Sequence, residues 1–275
     1  MIRNFISALF ISACLPQMAA TQQPATAQQG YTGTGAYSQS QADLFSGFHQ
    51  TAALALLKDP GVCVTGVRPY FLSTLSRYRL QGVFPVPSGA WGVKADIRGS
   101  SGYREQQVGL SYARSLGTKM AAGLCFTYNS IRIDGYGQVA APGVEAGLLL
   151  HVTKELHTGF QLINPVSPKW GISKTEKLPA VYVVGWGYEA SPVFYCSAEL
   201  IKEEEQPASV SVSFQYRPVS RLLLRAGMGT GTSVTWAGAG FQLSRIRFDV
   251  FVSFHPQLGI TPGTGLFVHF KKRGA

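Results

Sequence analysis

Residues 245–256 read RIRFDVFVSFHP, and apolar side chains alternate with charged or polar ones along them. A strand with this period has one apolar face and one charged face. A soluble sheet hides the apolar face, whereas a membrane barrel shows it to lipid and turns the charges inward. The alternation alone leaves both arrangements open. The residues of the apolar face are Ile246, Phe248, Val250, Val252 and Phe254. Those of the other face are Arg245, Arg247, Asp249, Ser253 and His255, and Phe251 is the one apolar residue among them.

The composition favours a protein with much of its surface in lipid. Charged residues make up 14% of the 275-residue chain, well below the roughly 25% of an ordinary soluble domain. Glycine is frequent, at 31 residues, and aromatic residues reach 12%. The net charge of +10 comes from scattered Lys and Arg, with one short basic run at 271–273, so we predict no nucleic-acid partner.

The N-terminus has the pattern of a secretory signal peptide. Arg3 precedes an apolar core over residues 5–13, and the small residues Ala19 and Ala20 follow. We therefore assign residues 1–20 to the signal peptide. The stretch ISAC, which ends at Cys14, also resembles a lipoprotein cleavage box, and both kinds of processing stay open. The other cysteines, Cys63, Cys125 and Cys196, are too widely spaced for a disulfide framework or a zinc site.

Beyond the signal, the chain has no apolar run of the roughly 20 residues that a membrane helix needs. An exported chain of this kind can span a membrane only as a closed barrel. From Gly61 onward, alternating segments of about ten residues follow one another, and short links alternate with long ones. We predict an all-β fold, a transmembrane antiparallel β-barrel of about 14 strands over residues 61–272, in the outer membrane of a Gram-negative bacterium with both termini periplasmic.

Two segments separate the signal from the barrel. Residues 21–42 are polar and low in complexity, which predicts a disordered leader. Residues 43–60 place apolar residues at roughly helical spacing before Asp59-Pro60-Gly61, which predicts a short helical segment. Its candidate contacts with the lumen are Phe45, Phe48 and His49.

The inward parity of the predicted strands collects the polar and charged residues. Such side chains can pair across the bore or stay hydrated, whereas an Arg at the lipid midplane costs about 2–4 kcal/mol. Two interpretations stay open: a charge network that stiffens the wall and closes the pore, or a cationic path for anionic amphiphiles. The lumen-lining candidates are Lys94, Asp96, Arg98, Glu145, His151, Gln161, Glu199, Gln215, Arg217, Arg221, Arg225, Arg245, Arg247 and Asp249.

The sequence gives little support to an enzyme. A Ser nucleophile on a barrel wall needs a His on the same face, and none of the five histidines has Ser two residues later. The chain also lacks a Gly-x-Ser-x-Gly elbow and a His-Glu-x-x-His helix. We predict no catalytic site, no metal site and no cofactor.

Four segments carry a resemblance to known barrels. They read LGTKMAAGLCFTY (116–128), INPVSPKW (163–170), EKLPAVYVVGWGYEASPVFYCSAEL (176–200) and FHPQLGITP (254–262). The first is similar to a turn and strand common in Bacteroidota outer-membrane proteins. Together they resemble the 14-stranded barrels related to FadL-type long-chain fatty acid transporters, including type IX secretion shuttle barrels.

This resemblance implies an N-terminal segment that plugs or lines the lumen, outer-membrane lipid around the wall, and binding or passage of a hydrophobic or amphiphilic small molecule. The Asn-Pro-Ala element of the fatty acid transporters is replaced here by HQTAAL at 49–54, and the outer loops are short. These departures keep an alternative open: a non-transporting scaffold that docks a secretion or periplasmic partner. A soluble lipid-binding β-protein is the third hypothesis.

Overall fold

The computed structural model describes residues 30–167, 169–170, 176–231 and 233–270. Two short α-helices come first, and 3-10 turns cover Thr51–Leu56, Pro69–Phe71 and Ser73–Leu75. The helices are α1 Gly30–Gly33 and α2 Ser46–His49. The strands are β1 Gly61–Val67, β2 Arg77–Val86, β3 Gly89–Gly99, β4 Tyr103–Ser115, β5 Met120–Ile133, β6 Gly137–His151, β7 Leu156–Ile163, β8 Lys169–Trp170, β9 Glu176–Lys177, β10 Val181–Ser191, β11 Phe194–Glu203, β12 Ser209–Val219, β13 Leu222–Gly229, β14 Val234–Leu243, β15 Ile246–His255 and β16 Gly259–His269.

Fourteen of these strands form one closed antiparallel barrel, which confirms the predicted fold class. Neighbours in the chain pair with each other, and β7 pairs with β10 because β8 and β9 form a separate two-stranded ribbon. β1 closes the barrel against β16, in register from Gly61↔His269 to Val67↔Gly263. Among the described residues, no helix has the length and apolar character needed to cross a membrane.

The exposure of β15 answers the question raised by RIRFDVFVSFHP. Ile246, Val250 and Phe254 are 46%, 47% and 50% exposed on the outer surface, whereas Arg247 and Asp249 are 5% and 0% exposed inside. The other strands show the same alternation of exposed apolar and buried inward residues. An apolar outer surface and a polar bore are the arrangement of an outer-membrane barrel, in which lipid replaces water around the wall.

The links between strands differ partly from the predicted pattern. We call the end of the barrel with links 87–88, 116–119, 152–155, 192–193, 220–221 and 244–245 the turn rim, and the opposite end the loop rim. The sequence predicts long links at 98–105, 131–143, 164–179 and 255–263. The link between Ile163 and Val181 is long as predicted, but the other three contain only three-residue links. There the strands continue into the predicted loops.

Pro142 illustrates why the strand continuation was missed. It lies in β6, in the part beyond Glu145, and the β6–β7 pairing covers only Glu145 to His151. Proline has no backbone N–H and therefore fits where a strand lacks a partner on one side. Pro142 thus lies on the edge of β6 to which β7 does not pair, while its other side pairs with Tyr128 of β5.

The N-terminal segment corrects two further predictions. Residues 30–42, predicted as part of a disordered leader, are placed inside the barrel, where Tyr31 and Tyr37 are 2% and 0% exposed. The polar composition of this stretch suits a polar bore as well as water. Residues 43–60 are not one helix, because the extended backbone at Gln50 separates α2 from the 3-10 turn Thr51–Leu56. The predicted signal peptide and residues 21–29 lie outside the described residues.

Candidate functional site

Residues 30–56, which we call the plug, fill the turn-rim half of the bore. Inward-facing glycines on the adjacent strands β5, β6, β7 and β10 make room for the plug, since Cβ atoms added there would collide with plug atoms. The Cβ of an alanine at Gly185 would lie 2.1 Å from the Tyr37 ring, and one at Gly123 would lie 2.8 Å from the backbone of Thr51. Glycine allows such close backbone approach. The glycines are Gly123, Gly147, Gly159, Gly185 and Gly187.

A buried ion cluster holds the middle of the plug. Asp43 Oδ2 lies 2.8 Å from Arg225 Nη2 on β13 and 2.8 Å from Arg247 Nη2 on β15. Arg247 Nε also donates to Asp249 Oδ1 at 2.9 Å. Burial alone would raise the pKa of Asp43, but the two guanidinium groups outweigh it and hold that pKa well below its usual range. Asp43 is therefore a charged anchor between plug and wall.

A second anchor lies at the turn rim, where Glu189 of β10 receives the plug backbone. Its Oε1 accepts from Ser38 Oγ at 2.6 Å and from the backbone N–H groups of Gln39 and Ser40 at 2.7 and 3.0 Å. His157 Nε2 lies 3.2 Å from the same oxygen, and its Nδ1 lies 2.9 Å from His151 Nδ1. One carboxylate thus fixes a three-residue stretch of the plug.

Amide side chains join the plug to β6, β7 and β12. Gln50 Nε2 donates to the backbone carbonyls of Leu148 and Phe160 at 3.3 and 3.1 Å. Gln161 Oε1 accepts from Thr51 N at 3.1 Å, and its Nε2 donates to Thr51 Oγ1 at 3.0 Å. On the other side of the bore, Gln215 Nε2 donates to Gln41 Oε1 at 2.8 Å. These neutral bonds fix the position of the plug without adding charge.

Aromatic residues complete the plug. Phe45, fully buried, stacks on Phe48 at 5.2 Å between ring centroids and meets Phe267 of β16 edge-on at 5.8 Å. Tyr31 stacks on Phe251 at 4.7 Å. Offset-stacked and edge-on pairs add to the stabilisation from apolar burial. Phe45 and Phe48, two plug candidates from the sequence, therefore belong to the apolar packing between the plug and the wall.

His49, the third plug candidate, is buried and neutral. Its Nε2 lies 3.1 Å from Thr32 Oγ1, within the plug itself. Burial, reinforced by the nearby Arg79 and Lys94 cations, lowers the pKa of His49 to about 3. Its imidazole therefore contributes to the plug as a neutral hydrogen-bonding ring.

Four charged lumen candidates, Lys94, Asp96, Arg98 and Glu145, form ion pairs within the wall. Lys94 Nζ on β3 lies 2.7 Å from both carboxylate oxygens of Glu145 on β6, and two strands separate β3 from β6. Asp96 accepts from Arg77 Nε at 2.9 Å and from Arg79 Nε at 3.2 Å. Arg98 pairs with Glu105 on the neighbouring strand. These pairs neutralise much of the inward charge of β2 to β6.

Two of the predicted lumen residues take other positions. Arg221 and Arg245 lie in the turns 220–221 and 244–245 and are exposed, so they do not line the bore. Strand parity has no meaning once the strand has ended, which is why the prediction failed there. Arg217 is half-buried near the same rim. Glu199 is buried and borders a small cavity, together with Thr34 and Ser213, between wall and plug.

Several contact residues were not identified from the sequence. Tyr37 lies in a stretch without strand or helix periodicity, so no pattern marked it. Asp43 and Gln50 lie in the segment predicted as helical, but the helical spacing there selects apolar residues and not these polar ones. The wall residues Arg79 and His157 follow the inward parity of their strands and could have been found by the rule that gave the other candidates. The inward glycines were a further signal, since glycines in adjacent strands indicate close approach of another backbone.

The loop-rim half of the bore contains an apolar patch, which we define as Ile163, Val181, Val183 and Ile201. These side chains face inward, and the register pairs Val181 with Ile163 and Val183 with Ile201. Leu178 from the long link packs nearby on Ala141 of β6. Bore-facing residues of an outer-membrane barrel are usually polar, so an inward apolar patch is a departure that calls for a function.

Among the residues that the structure describes, no group of three or more His, Cys, Asp or Glu is arranged to hold a metal ion. The site therefore consists of the plug, its polar and ionic anchors, and the apolar patch of the bore.

Comparisons with known proteins support the fold. No family model matches the chain. No curated protein matches it either. Solved structures that match include the TodX monoaromatic hydrocarbon channel deltaS2 mutant, with a TM-score of 0.63, 10% identity and coverage of 83% of this chain and 95% of that one. The CymD monoaromatic hydrocarbon channel matches with a TM-score of 0.59 and 12% identity, over 84% of this chain and 94% of that one.

A Pseudomonas aeruginosa FadL homologue also matches, with a TM-score of 0.53 and 12% identity over 82% of this chain and 93% of that one. At identities this low the likeness concerns the fold alone. The chain is similar in architecture to FadL-type transporter barrels, with a closed wall of 14 strands.

Proposed function

We propose that the protein is an outer-membrane channel that takes a hydrophobic or amphiphilic small molecule into its bore at the loop rim and releases it past the plug. The observation that carries the proposal is the inward apolar patch of Ile163, Val181, Val183 and Ile201, directly within a bore that the chain's own N-terminal segment closes. Apolar walls with few polar groups are typical of sites for apolar ligands. The similarity in fold to hydrocarbon channels supports the same substrate class.

The plug supplies the gate in this proposal. It is part of the chain but is not a strand of the wall, so it can move without breaking the barrel's hydrogen-bond ladder. It is held by individual side-chain anchors, among them Asp43, Gln50 and Glu189. Plug movement would open the turn-rim half of the bore. We place the turn rim, with both termini, on the periplasmic side.

The test is uptake into liposomes with a labelled fatty acid and with labelled toluene as separate probes. We expect at least one of the two probes to enter liposomes that contain the protein faster than it enters empty liposomes. Val183→Asn puts an amide into the patch and should slow uptake, whereas Val193→Asn makes the same change in an exposed turn outside the bore and should leave it unchanged. Uptake equal to that of empty liposomes for both probes would reject the proposal.

A second candidate is a non-transporting scaffold that docks a secretion or periplasmic partner, the function also suggested by the resemblance to type IX shuttle barrels. The observation that favours it is the extent of the plug, which touches the wall from β1 through β16 and closes the bore. Crosslinking and pull-down from outer membranes would test it. Recovery of the barrel without a stoichiometric partner would count against it.

A further inference from the structure

Two exposed arginines lie on one part of the turn rim, and we call them the arginine arc: Arg221 and Arg245. Arg221 and Arg245 are exposed in two turns that are separated along the rim only by the ends of β13 and β14. Backbone hydrogen bonds hold this rim in place, since Gln242 N donates to Arg221 O and His269 N donates to Arg245 O, each at 2.8 Å.

The cations of the arc form no ion pair with any described residue. The acidic groups on these strands and on the plug, Asp43 and Asp249, are buried in the bore and engaged by Arg225 and Arg247. The arc therefore presents positive charge outward that no ion pair within the described residues neutralises.

The outer wall beside the arc is apolar. Leu243 is 67% exposed, and Val219 and Phe241 are 58% and 51% exposed. All three lie within four residues of the arginines, at the ends of β12 and β14. These cations lie next to exposed apolar side chains at the level where the strands leave the membrane. A phospholipid has matching parts, since its phosphate can contact the cations while its acyl chains pack against the apolar wall.

We propose that the arginine arc binds the headgroup of an anionic glycerophospholipid, with the acyl chains packed on Val219, Phe241 and Leu243. Guanidinium groups suit phosphate because they donate two parallel hydrogen bonds in addition to their charge. A zwitterionic headgroup offers no net charge to the arc and binds more weakly. This site is on the outer surface, and it is independent of the proposed function in the bore.

The experiment uses the full-length protein, purified in a mild non-ionic detergent, with equimolar phosphatidylglycerol and phosphatidylcholine as probes. Native mass spectrometry measures the lipid retained on each barrel. The test variant is Arg221→Gln with Arg245→Gln. The matched control removes two exposed arginines at the loop rim, Arg104→Gln with Arg132→Gln. Heat modifiability on a gel shows that each variant is a folded barrel.

We expect the natural protein to retain phosphatidylglycerol in preference to phosphatidylcholine. Each interfacial arginine contributes roughly a fivefold change in affinity, so the double variant should lose the preference by up to about 25-fold. The control variant should keep the preference for phosphatidylglycerol, and raised salt should weaken that preference in the natural protein. An equal loss in the control, no preference in the natural protein, or full retention by the folded test variant would overturn the proposal.

Discussion

Asp43→Asn should release the plug while the barrel stays folded. The substitution keeps an oxygen that can accept from Phe45 N, which Asp43 Oδ1 now does at 3.0 Å, so local turn geometry survives. It removes the charge that compensates Arg225 and Arg247, two buried cations each 2.8 Å from Asp43. Breaking a buried pair from one side costs about 3–5 kcal/mol. Because Arg247 keeps Asp249 as a partner, we expect the lower part of this range, about 3–4 kcal/mol. The population with the plug open should therefore rise by about two to three orders of magnitude.

Hydrogen exchange of the plug amides measures this population directly. Phe48 N, Gln50 N and Ala53 N donate within the plug to Phe45 O, Ser46 O and Gln50 O, so their protection reports docking. We expect their protection factors to fall by the same two to three orders of magnitude, while strand amides change little. Asp134→Asn, in an exposed link, is the control. If the protection of these three amides in Asp43→Asn stayed within twofold of the natural protein, the ionic anchoring of the plug would be refuted.

Three further predictions concern the plug and the wall. Gly185→Ala should loosen the plug, because the added Cβ would lie 2.1 Å from the Tyr37 ring, and residues 30–56 should then be cleaved faster by a protease. Gly102→Ala is the control and should have no effect, since no atom lies within 4 Å of its added Cβ. The docked plug should be most stable above about pH 6.5, because docking lowers the pKa of His49 to about 3 and so opposes its protonation. As the pH falls from about 6.5 towards 3, the free energy of docking should weaken by about 1.4 kcal/mol per pH unit. Hydrogen exchange across this range checks the prediction, and His49→Gln should flatten the pH profile. Val250→Arg on the lipid face should lower the free energy of unfolding in lipid by about 2–4 kcal/mol in a denaturant titration, with no comparable loss for Gln257→Arg in an exposed link.

The barrel could be predicted because its rule is local. In β15 every second residue is apolar, and a closed barrel is the one spanning arrangement of strands that leaves no edge in lipid. The same rule placed Lys94, Glu145 and Arg247 in the bore. It could not say which of them pair, because Lys94 and Glu145 meet across two intervening strands and only the closure of the wall brings them together.

The plug could not be predicted as fully. Its polar stretch, with Ser38 and Gln39, reads as disordered chain because nothing in it alternates or repeats. Its order comes from the wall: the Glu189 carboxylate accepts from four plug donors, and Gly185 leaves space for Tyr37. Such an order depends on groups about 150 residues away in the sequence, which local propensity does not report.

Uptake in liposomes that contain either the natural protein or Asp43→Asn tests the central claim most directly, since it joins the plug to the passage of small molecules. With the labelled hydrophobic probe that the bore accepts, we predict uptake above that of empty liposomes for the natural protein and clearly faster uptake for Asp43→Asn, in step with its loss of exchange protection. Equal uptake by empty liposomes, the natural protein and a variant whose plug has been shown to open would contradict the account.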